Sequence, residues 1–161
     1  MKDLSKFASH VPVLVKVVEK SKGNILELGV GISTVILHTM CKDRLIFSYE
    51  NDPEWFKENK VYESDNHKIF FTNNWNEIHD LEIEWDVVFI DHRPATDRRN
   101  QALYYKDKAN FIIIHDSEPE IDRFYGYKKI YPQFKYVYHY TKCKPFTTVL
   151  SNRVNVEELL K

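Results

Sequence analysis

Cysteine, glycine, net charge and long apolar runs are all scarce in this chain of 161 residues. Its two cysteines, Cys41 and Cys143, form neither a CxxC pair nor a framework of bridges, which excludes a disulfide scaffold and fits a reducing compartment. The 23 basic residues against 24 acidic ones leave a formal charge of −1, so no global field draws the protein to nucleic acid or to an anionic membrane. No apolar run nears the roughly 20 residues that span a bilayer, and the opening MKDLSKFASH lacks the apolar stretch of a secretory signal. A cytoplasmic protein with neither a membrane nor a nucleic-acid partner is expected. No repeat or low-complexity tract breaks the chain, and its 43% apolar and 14% aromatic content is enough for one continuous core. A single domain over residues 1–161 is expected, with an N-terminal helical segment in 1–23 and the core in 24–151.

The pattern along the chain alternates between strand and helix. Val11, Leu14, Val15 and Val18 follow an i, i+3, i+4, i+7 spacing that predicts a helix with one apolar stripe. Asn24 to Leu28 reads as a strand that runs into Gly29, and Ser33 to Cys41 as a helix opened by hydroxyl residues suited to capping. Strands are predicted again at Arg44–Tyr49, Lys68–Thr72, Trp85–Ile90 and Asn110–Ile114. Helices are predicted at Pro53–Asn59, Arg98–Asp107 and, briefly, Asp122–Tyr125. The runs WDVVFI and NFIII are apolar on both faces, as in central strands of a parallel sheet covered by helices on each side. Phe134–Tyr140 and Phe146–Ser151 read as a closing antiparallel pair, and Val156–Lys161 as a last helical turn. The fold class is therefore α/β: one Rossmann-like, doubly wound domain with a mostly parallel seven-stranded sheet, an antiparallel closing strand and helices on both faces.

With only four glycines, at 23, 29, 31 and 126, their places are informative. Glu27-Leu28-Gly29-Val30-Gly31-Ile32-Ser33-Thr34 ends a first strand in a turn where missing Cβ atoms let a ligand approach the backbone. A dinucleotide fingerprint would place a third glycine at Thr34. A ligand with an ammonium and a carboxylate suits the segment better, oriented by Glu27 on one side and by main-chain N–H groups with the Ser33 or Thr34 hydroxyl on the other. Glu50 closes the second strand about 20 residues beyond the turn, where a carboxylate can take two ribose hydroxyls. Asn73-Asn74-Trp75 follows the third strand, and an amide with a neighbouring indole can bond and cover an adenine ring.

Taken in order, ILELGVGIST, FSYEND, WDVVFIDH and FIIIHDSE resemble the motif series of class I S-adenosylmethionine-dependent methyltransferases, over roughly residues 24–151. FIDH also looks like the catechol-type O-methyltransferases. The resemblance implies S-adenosyl-L-methionine as cofactor, with Gly29 and Gly31 along its methionine, Glu50 on its ribose, and Asn74 and Trp75 near its adenine.

On the acceptor side, Asp91-His92-Arg93 follows the fourth strand and His115-Asp116-Ser117-Glu118 the fifth, so a parallel sheet brings both to the edge that holds the cofactor. Methyl transfer needs an aligned acceptor and removal of its proton. Asp91, His92, His115 and Asp116 are the candidate catalytic residues, with the two histidines as candidate bases. The catechol-type enzymes hold a divalent cation with an Asp after the fourth strand and an Asp-Asn pair after the fifth. Here Asp91 and then Asp116-Ser117 leave one ligand short, and the family's lysine position is Pro94. A divalent metal is thus not favoured and its ligands stay open. Arg93, Arg98 and Arg99 with Asp97 suit an anionic acceptor, although Arg98 and Arg99 also suit a solvated helix face. The Tyr-rich stretch from Phe124 to Tyr140 reads as core and sheet. The leading expectation is O-methylation of a hydroxyl on a small molecule or glycan, with N-methylation or a noncatalytic S-adenosylmethionine-binding domain as alternatives. So short a chain leaves little room for a substrate lid, which favours a homodimer.

Overall fold

The computed structural model describes residues 8–161; the first seven residues of the expected N-terminal segment lie outside the described residues. Seven strands make one sheet: β1 (Asn24–Leu28), β2 (Ile46–Glu50), β3 (His67–Phe71), β4 (Trp85–Ile90), β5 (Ala109–His115), β6 (Tyr136–Tyr140) and β7 (Thr147–Ser151). Their order is β3-β2-β1-β4-β5-β7-β6. The first five pair in parallel, while β7 runs antiparallel between β5 and β6. The helices are α1 (Val11–Lys20), α2 (Ile32–Met40), α3 (Pro53–Asn59), α4 (Ala95–Tyr105), α5 (Asp122–Tyr125) and α6 (Val156–Leu159). This is the expected Rossmann-like α/β architecture. The strand order reverses between β1 and β4, and the crevice beyond their carboxyl ends is where such sheets bind ligands.

Strand periodicity sorts the core into two layers, because successive side chains point to opposite faces. Leu26, Leu28, Val88, Ile90, Ile112, Ile114 and Leu150 face α4 and the aromatic Trp75, Tyr105, Tyr127 and Phe134. Ile25, Val87, Phe89, Phe111, Ile113 and Val149 face α1, α2 and α6. Strands β1, β4 and β5 are buried along nearly their whole length, which is why their sequences read as continuous apolar runs.

Three local expectations need correction. In α1 the buried stripe is Val13, Leu14, Val17 and Val18, whereas Val11 and Val15 are only partly covered. VPVLVKVV offers several overlapping stripes, and Lys16 fixes the rotation by donating to the Leu160 carbonyl at 2.6 Å. At α2 the N-cap is Gly31, with Ser33 and Thr34 already inside the helix; Thr34 instead accepts the Gly31 N–H at 2.9 Å through its hydroxyl. Helix α4 begins at Ala95, three residues before the expected Arg98, because Pro94 can occupy the extended cap position. In the Tyr-rich stretch, expected to be core and sheet, Tyr127 and Phe134 are buried, the tyrosines of β6 are only partly covered and Phe124 is exposed.

Candidate active site

The turn after β1 is fixed by hydrogen bonds that continue the ladder past the strand ends. Gly29 donates to the Tyr49 carbonyl at 2.8 Å, and Asp91 donates its N–H to the Leu28 carbonyl at 2.7 Å. Gly29 has φ +95°, and a Cβ there would lie 2.7 Å from the backbone of Asp91 and His92. Only glycine fits both the dihedral and the space. At Gly31 an added Cβ would meet nothing nearer than Trp55 at 3.8 Å, so the backbone there is open to a ligand.

Glu50 turns its carboxylate toward this turn. Oε2 accepts the Val30 N–H at 2.9 Å, and Oε1 accepts those of Asn51 and Asp52 at 2.8 Å. A carboxylate offers about four acceptor directions, so three main-chain donors leave about one for a ligand hydroxyl rather than the two expected. Glu27 lies beneath the turn, fully buried. It accepts from the Thr34 hydroxyl at 2.9 Å, and its Oε1 has no hydrogen-bond partner. Burial lifts its pKa to about 7, against nearby hydroxyls of Ser33, Ser48 and Thr34 that pull it down. Gly29 and Thr34 thus act through the turn, while Val30, Gly31, Ile32, Ser33 and Glu50 line a cavity of about 740 Å³.

The same cavity is also lined by His10, Asp91, His115, Asp116 and Tyr125. Arg98 organises it. Its guanidinium lies 2.9 Å from Asp91 Oδ1 and 2.8 Å from Asp116 Oδ2, and it donates to the carbonyls of His92 at 2.6 Å and Asp91 at 3.0 Å. Arg98 is only 5% exposed. It therefore belongs neither to a solvated face nor to a free anion grip; its charge is consumed by the two carboxylates. Asp116 also accepts from the Tyr125 hydroxyl at 3.0 Å, and its φ of 57° places a non-glycine residue in the left-handed region, which Asp tolerates better than most.

His115 and Asp91 form a pair, with Nδ1 3.2 Å from Asp91 Oδ2 and Nε2 2.9 Å from Ser9 Oγ. Burial works against the imidazolium, yet the hydrogen bond and charge of Asp91 with the charge of Asp116 raise the His115 pKa. Burial likewise opposes ionisation of Asp91, and the His115 hydrogen bond with the charges of His115 and Arg98 outweighs it, so its pKa is lowered.

His92 follows a different course from its neighbour. Its ring stacks on Trp75 with centroids 4.0 Å apart, and burial lowers its pKa to about 4. It lines the same cavity as Asp91, His115 and Asp116, with its ring packed on Trp75 rather than on those groups. Trp75 is 6% exposed and donates its indole N–H to the Arg93 carbonyl at 2.8 Å. One face of the indole is packed on His92, and Trp75 also lines the small cavity beside Asn74. Asn74 caps the following turn by accepting the Asn76 N–H at 3.0 Å. Asn73, Asn74 and Trp75 line a separate cavity of about 210 Å³, and both cavities are bounded by Asn51 and Pro94.

Sequence reasoning passed over His10, which lies just before α1 and far along the chain from the residues it meets, Phe89 and His115. No local spacing signals it. It is 2% exposed, with its ring centroid 4.9 Å from those of Phe89 and His115, and neither ring nitrogen has a hydrogen-bond partner.

No family model and no curated protein matches the sequence. Solved structures do share its fold. An O-methyltransferase from Bacillus cereus in complex with SAH aligns with TM-score 0.64 at 14% identity, over 94% of this chain and 82% of that one. The N-terminal domain of human METTL16 in complex with SAH gives TM-score 0.66 at 12% identity, over 90% and 69%. An rRNA methylase from Streptococcus thermophilus gives TM-score 0.61 at 13% identity, over 89% and 95%. The common property is the methyltransferase-type Rossmann-like fold. Among the described residues no helix is long and apolar enough to cross a membrane.

Proposed function

We propose that the protein is an S-adenosyl-L-methionine-dependent methyltransferase that methylates a hydroxyl on a small molecule or glycan. The observation that carries this reading is one continuous cavity lined by the glycine turn and Glu50 together with Asp91, His115 and Asp116. The residues present fit the cofactor. The open backbone at Gly31 suits its amino-acid end, Glu50 keeps an acceptor for a ribose hydroxyl, and the small cavity beside Asn74 leaves room for the adenine edge. Two of the structures with this fold are SAH complexes, which supports the same ligand here.

Bound there, the cofactor supplies an electrophilic methyl group on a sulfonium. Asp91, His115 and Asp116 then face the acceptor. The Asp91–His115 pair would accept the hydroxyl proton of the acceptor as it is methylated. Asp91 orients the His115 ring, Arg98 holds both carboxylates in place, and His92, kept neutral against Trp75, forms a wall rather than a proton acceptor.

Calorimetric titration with S-adenosylhomocysteine, followed by methyl transfer from labelled cofactor to matched hydroxyl and amine panels, tests the proposal. One binding site and O-methylated product are expected. Product methylated only at nitrogen overturns the hydroxyl assignment, and no binding of the nucleoside overturns the enzyme assignment.

A further inference from the structure

The least explained atoms in the molecule are the two ring nitrogens of His10. A neutral imidazole carries one donor and one acceptor, and leaving either buried without a partner costs about 1–3 kcal/mol. Among the described residues neither nitrogen here has a hydrogen-bond partner, on a ring that is 2% exposed. The segment before α1 nonetheless holds that ring at the carboxyl edge of the sheet, against His115 and at the wall of the large cavity.

We propose that His10, Asp91 and His115 form a binding site for a divalent transition-metal cation. One ligand atom from each residue lies within 4.8 Å of the other two. Bonds of about 2.0–2.2 Å to nitrogen and oxygen set ligand atoms a little over 3 Å apart, so side-chain rotations of about an ångström close the set around an ion. The three come from separate parts of the chain: the N-terminal cap of α1, the end of β4 and the end of β5.

Supporting contacts surround the site as they do around histidine-bound metals. Ser9 Oγ bonds one nitrogen of His115 at 2.9 Å, which fixes the ring and directs the other nitrogen toward Asp91. Arg98 holds Oδ1 of Asp91, leaving Oδ2 on the side of the imidazoles. Two imidazoles with one carboxylate select zinc, cobalt, nickel or ferrous iron over magnesium and calcium, which prefer all-oxygen shells. The shell is also incomplete on the cavity side, where a water or a ligand oxygen completes it.

This donor set differs from the all-oxygen arrangement of the catechol-type enzymes in both imidazoles. Asp116, the carboxylate that a purely acidic site would recruit, is already taken by Arg98 and the Tyr125 hydroxyl. The inference stands on the donors alone and holds whether or not the chain transfers methyl groups.

Metal-stripped full-length protein titrated with cobalt(II) chloride tests it through the visible d–d bands. Bands that saturate at one equivalent, bleach when zinc is added and persist in excess magnesium are expected, together with a higher melting temperature in zinc. His10→Gln, which keeps a polar side chain of similar reach, is expected to weaken cobalt binding at least about 100-fold, since even supporting residues are worth 10–100-fold. His38→Gln, which alters a remote histidine beside His67, is expected to leave the bands unchanged. Circular dichroism establishes that both variants are folded, and His115→Ala gives an independent second loss should His10→Gln unfold. Absence of bands at stoichiometric cobalt, full displacement by magnesium, or bands retained in a folded His10→Gln protein each overturns the proposal.

Discussion

Strand β4 is bracketed by two aspartates whose surroundings could hardly differ more. At its amino end Asp86 accepts the N–H groups of Lys22 and Gly23, both at 2.7 Å, and the Asn110 amide at 2.8 Å. Beyond its carboxyl end Asp91 meets a guanidinium and an imidazole instead. Burial opposes ionisation at both. The Gly23 and Asn110 hydrogen bonds keep the Asp86 pKa low, whereas Asp91 depends on His115 and Arg98. The amino edge is thus closed by donors that do not titrate, and the carboxyl edge is held by groups that can exchange protons. Within one sheet, the first arrangement serves stability and the second is the one to which we assign the proposed chemistry.

The largest way to break this contrast is Gly29→Ala. The positive φ and the 2.7 Å approach to the Asp91–His92 backbone predict a loss of about 3 kcal/mol or more in urea denaturation. Gly31→Ala, with open space around its Cβ, is expected to leave stability within about 0.5 kcal/mol and to weaken S-adenosylhomocysteine binding in calorimetry. Next, Asp91→Asn removes the charge that supports His115 and is expected to slow methyl transfer at least about 100-fold and to lower the melting temperature, because buried Arg98 loses one of its two carboxylates. Asp86→Ala sharpens the comparison from the other edge. It is expected to cost about 1–2 kcal/mol while cofactor affinity stays the same.

Glu50→Gln places an amide N–H against the Val30 N–H and is expected to weaken S-adenosylhomocysteine binding about tenfold, equivalent to about 1.4 kcal/mol. The smallest effect concerns pH. Burial, aided by His38, lowers the His67 pKa from 6.5 to about 4, so the unfolded chain binds a proton that the folded chain refuses between those values. Folding is unaffected by this group above pH 6.5 and loses stability as pH falls toward 4. Between pH 6.5 and 5, His67→Gln is expected to lessen the fall by about 1 kcal/mol, read from urea midpoints at each pH.

How much of this was legible depends on where each residue's partners lie. The strands β4 and β5 read clearly because burial on both faces leaves an uninterrupted apolar run. Gly29 read correctly because a strand-turn-helix segment carries its own geometric demand. The phase of α1 did not, because Val11, Val13, Val15, Val17 and Val18 allow more than one stripe and Lys16 chooses between them through the far end of the chain. Trp75 was ambiguous because an indole after a polar turn suits a ligand face as well as a core face, and it meets both the His92 ring and the small cavity. Arg98 looked like a solvated helix start because its carboxylate partners sit seven residues before and 18 after. His10 was invisible for the same reason on a larger scale: only the closed sheet brings it to Asp91 and His115.

Asp91 and His92 are neighbours along the chain but tenants of different layers, since the sheet sends one toward α1 and the other toward Trp75. The plane of the sheet therefore works as a sorting rule written in odd and even positions. A single residue inserted anywhere in β4 upstream of Ile90 would trade their places, lodging a carboxylate beneath the indole and stranding the guanidinium of Arg98. The length of that strand is for this reason as much a part of the site as the side chains at its end.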